Sequence, residues 1–280
     1  MLRVGELAGI FRYPVKSMQG ERLGRATLGV DGLPGDRAWG LRDERRGDFF
    51  LGKRCPELMS CAAAYVDGFE PGAVPEVVLP GGPRFSAGAP DAAERLSAFL
   101  GSRVSVWPAG AEARAAESGE PIGEAEMRSM LAREANESLP DFSDPAPELV
   151  EFQSRNGPLV DAFPILILTV RSLETIADAQ PGMGVDWRRF RPNLLVAGEG
   201  SGSFPEQDWV GCRLRVGDAV LSVHSKCIRC AMVTHGFADL PKAPQIMRTL
   251  VRENEGTLGV YALVEEPGEI RAGDRVTLLG

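Results

Sequence analysis

RVGDAVLSV at residues 215–223 returns in altered form as RAGDRVTLL at residues 271–279. Both segments place a Gly-Asp pair ahead of residues that alternate between apolar and polar. Glycine with aspartate or asparagine marks tight turns, and alternation is typical of a strand with one buried face. Two such turns, each leading into a strand, predict a small β-barrel with hairpin corners in the second half of the chain.

The first hundred residues are also rich in turns and in segments of strand length. CAAAYVD, EVVLP and RVSVWP are short, apolar and bounded by turn residues. They predict a mostly β N-terminal domain over residues 1–108. The Ala-, Glu-, Ser- and Pro-rich stretch at 109–150 predicts a solvated linker or insert, partly helical near EAEMRSMLARE. Residues 151–280 form the second domain, so the predicted fold class is mostly β with some helix (α+β).

Short helices interrupt the predicted strands. Asp91 and Gly101 mark the start and stop of a helix at DAAERLSAFLG. Ser172 is expected to cap a helix that runs to Ala179 directly after the buried strand PILILTV. Another helix is expected near APQIMRTLVREN, ahead of the strand TLGVYALVE.

Composition restricts the classes of function. The net charge of −8 argues against a nucleic-acid-binding protein, whose affinity comes mostly from cations on phosphates. Five cysteines, an odd number in a chain of 280 residues, do not suggest a secreted disulfide scaffold and fit a reducing cytoplasm. The N-terminus lacks the pattern of a signal peptide, and the run AFPILILTV is too short to span a membrane. We therefore expect a cytoplasmic protein with no membrane or nucleic-acid partner.

The stretch HSKCIRCAMVTHG at 224–236 holds Cys227, Cys230 and both histidines of the chain. A zinc site is one interpretation, although ligands along one strand would point to alternating faces. A redox disulfide would need a helix to begin at the pair, and a buried structural pair is the plainest alternative. Lys226 and Arg229 are adjacent cations, which favour a thiolate. They indicate a soft metal ligand whose metal takes its remaining ligands from elsewhere.

Further basic segments are candidate anion-binding loops. YPVKSM presents Lys16 and Ser17, and GDRAW places Arg37 after a Gly-Asp turn. RRFRPN places Arg191 and Asn193 around a proline, which is expected to hold Arg191 extended. In a chain of net charge −8, such loops indicate local focusing on an anionic ligand.

These segments occur together, and in this order, in one family. YPVKS, GDRAW, FRPN, CIRC and the closing PGEIRAGDRVTLL resemble the MOSC proteins that carry an N-terminal β-barrel domain. That group includes the mitochondrial amidoxime-reducing component and its bacterial relatives. The resemblance extends over nearly the whole chain and implies an N-terminal barrel-like domain followed by a MOSC β-barrel domain, with the ligand between them.

The resemblance implies molybdenum cofactor as the ligand, a pterin with a phosphate and a dithiolene that chelates molybdenum. It assigns Cys230 as the metal ligand and catalytic residue, with Cys227 as the second choice. It carries over cofactor contacts to Lys16, Ser17, Arg37, Arg191 and Asn193. Lys53, in LGKRCPEL, stands where relatives have arginine and is also expected to bind the cofactor through its phosphate. AMVTHG replaces the Thr-Thr-Val-Asp run of the relatives. Pyridoxal phosphate binding is also commonly attributed to this family.

The implied reaction is reduction of a small N-hydroxylated substrate such as an amidoxime or hydroxylamine. Its electrons would come from a separate ferredoxin-, flavin- or cytochrome-type protein, because no electron-transfer domain follows in the sequence. His235 is a candidate proton donor because histidine titrates near neutral pH. The alternative is a carrier of molybdenum cofactor, or of a persulfide on Cys230, without turnover of its own. A zinc or disulfide protein without this cofactor is the third class.

Overall fold

The largest feature of the computed structural model is a closed β-barrel. The model describes residues 1–110, 112–113, 122–155, 157–198 and 202–279. Within these ranges the barrel has seven strands: β1 (Leu2–Arg12), β9 (Ile165–Thr169), β10 (Leu194–Gly198), β11 (Arg213–Val216), β12 (Ala219–Ile228), β13 (Thr257–Glu266) and β15 (Arg275–Leu279). Their order is β10-β9-β13-β12-β11-β15-β1, and pairing of β1 with β10 closes the ring. The β9–β10 pair is parallel and the other neighbours are antiparallel.

The first Gly-Asp segment forms the predicted hairpin corner, whereas the second forms a turn between two strands that do not pair with each other. Gly217, with φ of 55°, turns the chain between β11 and β12. Gly273, with φ of 93°, turns it from β14 (Gly268–Arg271) into β15. The strands of the two repeats lie side by side, with Val216 opposite Val276, and both valines are buried in the barrel core. The sequence repeat is therefore a structural repeat within one barrel.

The N-terminal lobe consists of small sheets around a second hydrophobic core. β2 (Glu21–Leu23) pairs with β1, β3 (Arg25–Leu28) with β14, and β4 (Trp39–Asp43) with β8 (Val104–Pro108). A three-stranded sheet holds β5 (Ala62–Ala64), β6 (Glu76–Val78) and β7 (Arg84–Ser86). Leu41, Leu58 and Leu96 are buried between these sheets and helix α1 (Ala92–Leu100). The predicted fold class, mostly β with some helix and a barrel in the second half, is confirmed.

Four further helices are described: α2 (Glu124–Leu131), α3 (Pro147–Ser154), α4 (Val170–Ala179) and α5 (Gln245–Asn254). The predicted cap of α4 was wrong by three residues. The Thr169 hydroxyl caps it by accepting from the Ser172 backbone N–H. Asp91 makes no cap hydrogen bond and instead pairs with Arg95, because both side chains face solvent one helical turn apart.

Short 3-10 segments complete the chain at Pro56–Ser60, Trp187–Arg189, Pro205–Trp209 and Ala231–Thr234. The last one changes the interpretation of the cysteine stretch. Strand β12 ends at Ile228, and Cys230 is the N-cap residue of the 3-10 turn. The expectation of a continuous strand through both cysteines was therefore wrong, because the chain leaves the barrel at Arg229.

The boundaries predicted at residues 108 and 150 stay a prediction. The structure shows that the N-terminal strand β1 belongs to the barrel formed by residues 165–279. The two cores are therefore interleaved along the sequence. No helix in the described ranges combines the length and apolar character that spanning a bilayer requires.

Candidate functional site

A cavity of about 390 Å³ lies where the barrel, the N-terminal lobe and the insert meet. The structure brings together every residue that the sequence nominated as a cofactor contact or metal ligand. The wall includes Lys16, Ser17, Arg37, Lys53, Arg191, Asn193, Cys227 and Cys230. Residues from both halves of the chain thus converge on one space, as predicted.

Backbone hydrogen bonds hold the cationic loops against one another. The Lys16 N–H donates to the Trp39 carbonyl at 2.8 Å, and the Arg37 N–H donates to the Tyr13 carbonyl at 2.7 Å. The Leu159 N–H donates to the Arg37 carbonyl at 2.9 Å. The loops at 13–17 and 36–39 are therefore fixed to each other and to the segment that leads into β9.

Three of the nominated residues have a left-handed backbone, which is uncommon for residues other than glycine. Ser17 has φ of 70°, Arg37 of 44° and Arg191 of 54°. The extended conformation expected of Arg191 before Pro192 was wrong, because the loop contacts override that local preference. Left-handed non-glycine residues cost on the order of 1 kcal/mol each and cluster at functional sites.

Tyr13 is a buried platform between two guanidinium groups. The Arg191 guanidinium lies 4.2 Å from its ring centroid, and that of Arg37 lies 4.7 Å away. The phenol donates to the Pro192 carbonyl at 3.1 Å. Burial and the neighbouring Arg37 lower the pKa of Arg191 to about 10. Arg191 is therefore a buried cation without a carboxylate in contact.

Asn193 organises this platform through contacts to protein. Its side-chain oxygen accepts from Arg37 Nη1 at 3.1 Å and from the Leu166 N–H at 3.2 Å. Its amide nitrogen donates to the Phe11 carbonyl at 3.2 Å. Burial alone would lower the pKa of Arg37. The neighbouring Asp36 carboxylate raises it by more, so the pKa of Arg37 lies above its usual value. Asn193 and Arg37 therefore build the cavity wall.

Lys16 and Lys53 share one carboxylate at the cavity wall. Lys16 Nζ lies 2.5 Å from Asp161 Oδ1, and Lys53 Nζ lies 3.9 Å from Asp161 Oδ2. Lys16 also donates to the Leu159 carbonyl at 2.8 Å. The Lys16 ammonium is the main reason that the pKa of Asp161 falls below its usual range. The two lysines approach a common point from different loops of the N-terminal lobe.

The Lys53 loop approaches the cysteine turn closely because residue 52 is a glycine. A Cβ atom at Gly52 would lie 2.8 Å from Met232 Cε and 3.1 Å from Ser17 Cβ. Ser17 Oγ accepts from the Gly52 N–H at 2.9 Å. Ser17 thereby fixes the loop that carries Lys53, and its hydroxyl is engaged with protein.

Cys230 is half-buried at the start of the 3-10 turn, and its sulfur is free. Burial raises the pKa of this thiol, and Lys53 is the cation that opposes the rise most. The sequence had assigned that role to Lys226 and Arg229. The structure supports Arg229 in that role, since it also lowers the pKa of Cys230 while donating to Cys227, and it does not support Lys226, whose side chain is exposed.

Cys227 is a buried part of the wall. Arg229 Nη1 donates to its sulfur at 2.9 Å, and Arg229 Nη2 donates to the Phe190 carbonyl at 2.6 Å. Burial, followed by the nearby Cys227, raises the pKa of Tyr261 well above its usual value. The Arg229 Nε atom is buried without a hydrogen-bond partner. Cys227 therefore holds Arg229 in place beside the metal-ligand candidate.

Arg189 is a functional candidate that the sequence reasoning missed. It is fully buried and donates to the carbonyls of Gly184, His235 and Pro241 at 3.1, 2.7 and 2.6 Å. These contacts clamp the segment that follows Cys230. The segment RRFRPN carried the signal, but its sequence does not show which arginine is buried.

The histidines do not join the cysteines in a metal site. His224 stacks on Phe163 with ring centroids 5.1 Å apart and contacts the Ser222 hydroxyl. His235 is not part of the cavity wall, and burial lowers its pKa. Among the described residues, no group of three or more His, Cys, Asp or Glu side chains could hold a metal ion. The zinc interpretation is therefore wrong for these residues.

The fold and the cavity define a class: a two-lobed β protein whose lobes enclose a cation-lined space with one half-buried thiol. Residues 4–121 match the family described as MOSC N-terminal beta barrel domain, and residues 155–277 match the MOSC domain. The chain belongs to the MOSC-domain proteins that carry this N-terminal domain.

Curated relatives agree with this assignment. The chain is 32% identical over 133 residues to mitochondrial amidoxime-reducing component 1 from Mus musculus, covering 43% of this chain and 38% of that protein. It is 28% identical over 107 residues to molybdenum cofactor sulfurase from Oryza sativa subsp. japonica, covering 37% and 12%. The matches thus span well under half of each relative.

Among solved structures, the YUAD protein from Bacillus subtilis has a TM-score of 0.42 at 15% identity over 98% of this chain and 95% of that one.

Proposed function

We propose that this protein binds molybdenum cofactor in the cavity between its lobes and reduces N-hydroxylated compounds. One observation carries the proposal: the Cys230 thiol and cationic side chains from both lobes line the same cavity. A soft thiolate suits a metal of molybdenum's type, and cations suit a phosphate-bearing ligand. The relatives named for amidoxime reduction and for molybdenum cofactor sulfuration support it.

The charge of the cavity fits an anionic ligand. Among the described residues of its wall, Asp161 is the one carboxylate, against seven cationic side chains: Lys16, Arg37, Lys53, Arg189, Arg191, Lys226 and Arg229. A site this positive in a protein of net charge −8 focuses anions locally. Arg191 donates from Nη1 to the Met18 carbonyl, and its remaining N–H groups are available to such a ligand at the cavity wall.

We divide the nominated contacts into two groups. Lys16, Lys53 and Arg191 would hold the phosphate and pterin directly, because their charges face the cavity without full neutralisation. Ser17 and Asn193 carry no charge and hydrogen-bond to protein, and Arg37 is paired with Asp36, so we assign these three mainly to positioning. This division refines the sequence expectation, which treated all of them as contacts.

Cys230 would ligate the metal, with Cys227 behind it as the residue that orients Arg229. Because no described cluster could bind a metal alone, the metal must arrive with ligands of its own, as a dithiolene-bearing cofactor provides. When bound, the cofactor supplies the two-electron chemistry. Two electrons and two protons turn an N-hydroxyl group into an N–H group and water. The chain's residues bind and orient the reactants.

The electrons would come from a separate ferredoxin-, flavin- or cytochrome-type protein. We place the reaction in a reducing compartment, the cytoplasm, because all five cysteines are free thiols. A second candidate function is a carrier of molybdenum cofactor, or of a persulfide on Cys230. The match to molybdenum cofactor sulfurase favours this candidate, which uses the same cavity but has no turnover of its own.

The test is metal and pterin analysis together with turnover of purified protein. We expect about one molybdenum atom and one pterin per chain, and reduction of benzamidoxime with an artificial electron donor. Cys230→Ser should abolish turnover and retain much of the pterin, because the phosphate and pterin contacts remain. Cys212→Ser, which alters a free cysteine outside the cavity wall, is the matched control and should match wild type.

The outcomes separate the candidate functions. Molybdenum with turnover supports the reductase, and molybdenum without turnover supports the carrier. Sulfur released from Cys230 by cyanide would indicate the persulfide form. A protein that purifies with pyridoxal phosphate, or with no pterin even from a host that makes it, contradicts the proposal.

A further inference from the structure

We propose that the insert forms an apolar rim of the cavity that selects substrates with an apolar or aromatic body; this rests on the proposed function. The rim consists of Leu131, Phe142 and Leu149, all of which line the cavity. Phe142 is 52% exposed and Leu149 is half-buried, so both lie where the cavity opens to solvent. The insert is therefore more than the solvated linker that its composition predicted.

Ion pairs fix the insert to the N-terminal lobe. Glu126 of α2 accepts from Arg46 at 3.2 Å and forms an ion pair with Arg54 Nε at 3.0 Å. Both arginines also pair with Asp48, at 3.7 and 2.6 Å. Arg54 follows Lys53 directly, so the rim and one of the phosphate-binding candidates share an anchor.

Further contacts fix the insert to the barrel side. Arg248 of α5 pairs with Glu134 at 3.1 Å and with Glu137 at 2.7 Å. Arg133 is buried, and its Nη1 contacts Met247 Sδ at 3.0 Å. Helix α2 also packs against the 3-10 turn that Cys230 begins. Helix α2, which carries Leu131 of the rim, and the residues that follow it are thus held to both lobes and to the turn that carries the candidate metal ligand.

The two sides of the cavity suit the two parts of one substrate. The cationic side holds the cofactor, and the polar N–OH group must reach the sulfur of Cys230. The other side of the cavity is apolar, because the side chains of Leu131, Phe142 and Leu149 offer no hydrogen bonds. A partly exposed phenylalanine gains most from a flat apolar partner, because stacking buries its face. A substrate with an aromatic body should therefore bind better than one with the N-hydroxyl group alone.

The experiment compares benzamidoxime with hydroxylamine, which carries the reacting group and no apolar body. Phe142→Ala should lower the ratio of kcat/KM for benzamidoxime to that for hydroxylamine about tenfold, mostly through KM. Leu149→Ala should lower it in the same direction, and Phe142→Trp should restore it. Val150→Ala is the matched control, because Val150 follows Leu149 on the same helix and is 52% exposed but lies outside the cavity wall.

An unchanged ratio in Phe142→Ala, or an equal loss in Val150→Ala, overturns the inference while leaving the reductase intact. Failure of the proposed function looks different, because wild type then reduces neither substrate. In that case calorimetry of benzamidoxime binding to the purified protein tests the apolar rim without any need for turnover. Binding weakened about tenfold by Phe142→Ala supports the rim, and equal binding refutes it.

Discussion

Asp161→Asn is expected to tighten the binding of an inorganic anion to the cavity. Asp161 is the carboxylate between Lys16 and Lys53, and it competes with any anion for the two ammonium groups. An incoming phosphate must share these lysines with the carboxylate and is repelled by it. The asparagine amide keeps the size of the side chain and removes the charge.

The magnitude follows from the distances. A phosphate bound to both lysines at about 2.8 Å would lie about 5 Å from the Asp161 carboxylate. One unit of charge at that separation costs about 3 kcal/mol at an effective dielectric constant of 20 and about 1 kcal/mol in water. The Asp161 side chain is 51% exposed, so we take about 1–2 kcal/mol. Affinity should rise about 5- to 30-fold.

The assay is titration calorimetry of inorganic phosphate into protein without bound cofactor, at low and at high salt. Asp239→Asn is the charge-matched control, because Asp239 pairs with Arg188 outside this cavity. The gain in Asp161→Asn should shrink at high salt as screening weakens the repulsion. Equal or weaker phosphate binding in Asp161→Asn would show that the carboxylate orders the lysines rather than competing with the ligand.

Three further predictions concern buried polar groups. Burial raises the pKa of Glu206, so its contribution to stability should fall as pH rises from the unfolded value of about 4.3 through the raised folded value. Glu206→Gln should remove this part of the pH dependence of Tm. If the pH dependence of Tm is unchanged in the variant, it does not come from Glu206. Tyr13→Phe leaves the Pro192 carbonyl without its donor and should cost about 1–2 kcal/mol in urea unfolding. Arg189→Met should cost about 3 kcal/mol by the same method, against under about 1 kcal/mol for the partly exposed Arg188→Met; equal losses would contradict the clamp.

Local sequence signals predicted most of the barrel because they are properties of adjacent residues. The Gly-Asp pairs at Gly217 and Gly273, and the alternation that follows them, specify turns that lead into strands without reference to the rest of the chain. The turn at Gly217 closes a hairpin. The place of β1 was not predictable in this way. Its neighbours β10 and β15 lie more than a hundred residues away in sequence, and pairing across that separation depends on the whole fold.

The site was predictable in its residues but not in their roles. Charge and order along the chain nominated Lys16, Arg37 and Arg191, and they converge as expected. Their hydrogen bonds and ion pairs with the protein differ from one residue to the next, and the sequence does not show these contacts. The left-handed conformation of Arg191 overrode a dependable local rule, as functional loops often do.

The insert was misjudged for a related reason. Its composition is polar, and a polar stretch rich in Ala, Glu and Pro is usually a solvated connector. Contacts made by a few of its residues fix the insert to the rest of the protein instead. Arg133 and Glu126 find partners on opposite lobes, and these partners are visible only in the folded chain. Burial of Met130 and Leu131 then follows from the anchoring.

The place of β1 between β10 and β15 has a consequence for biosynthesis. During synthesis β1 must wait for β15, which follows much later in the chain and ends at Leu279. A polypeptide cut between the lobes would leave the C-terminal piece with a six-stranded open sheet and two unsatisfied edges. Such edges invite other chains to pair with them. The two halves are thus expected to be inherited, made and degraded as a single unit.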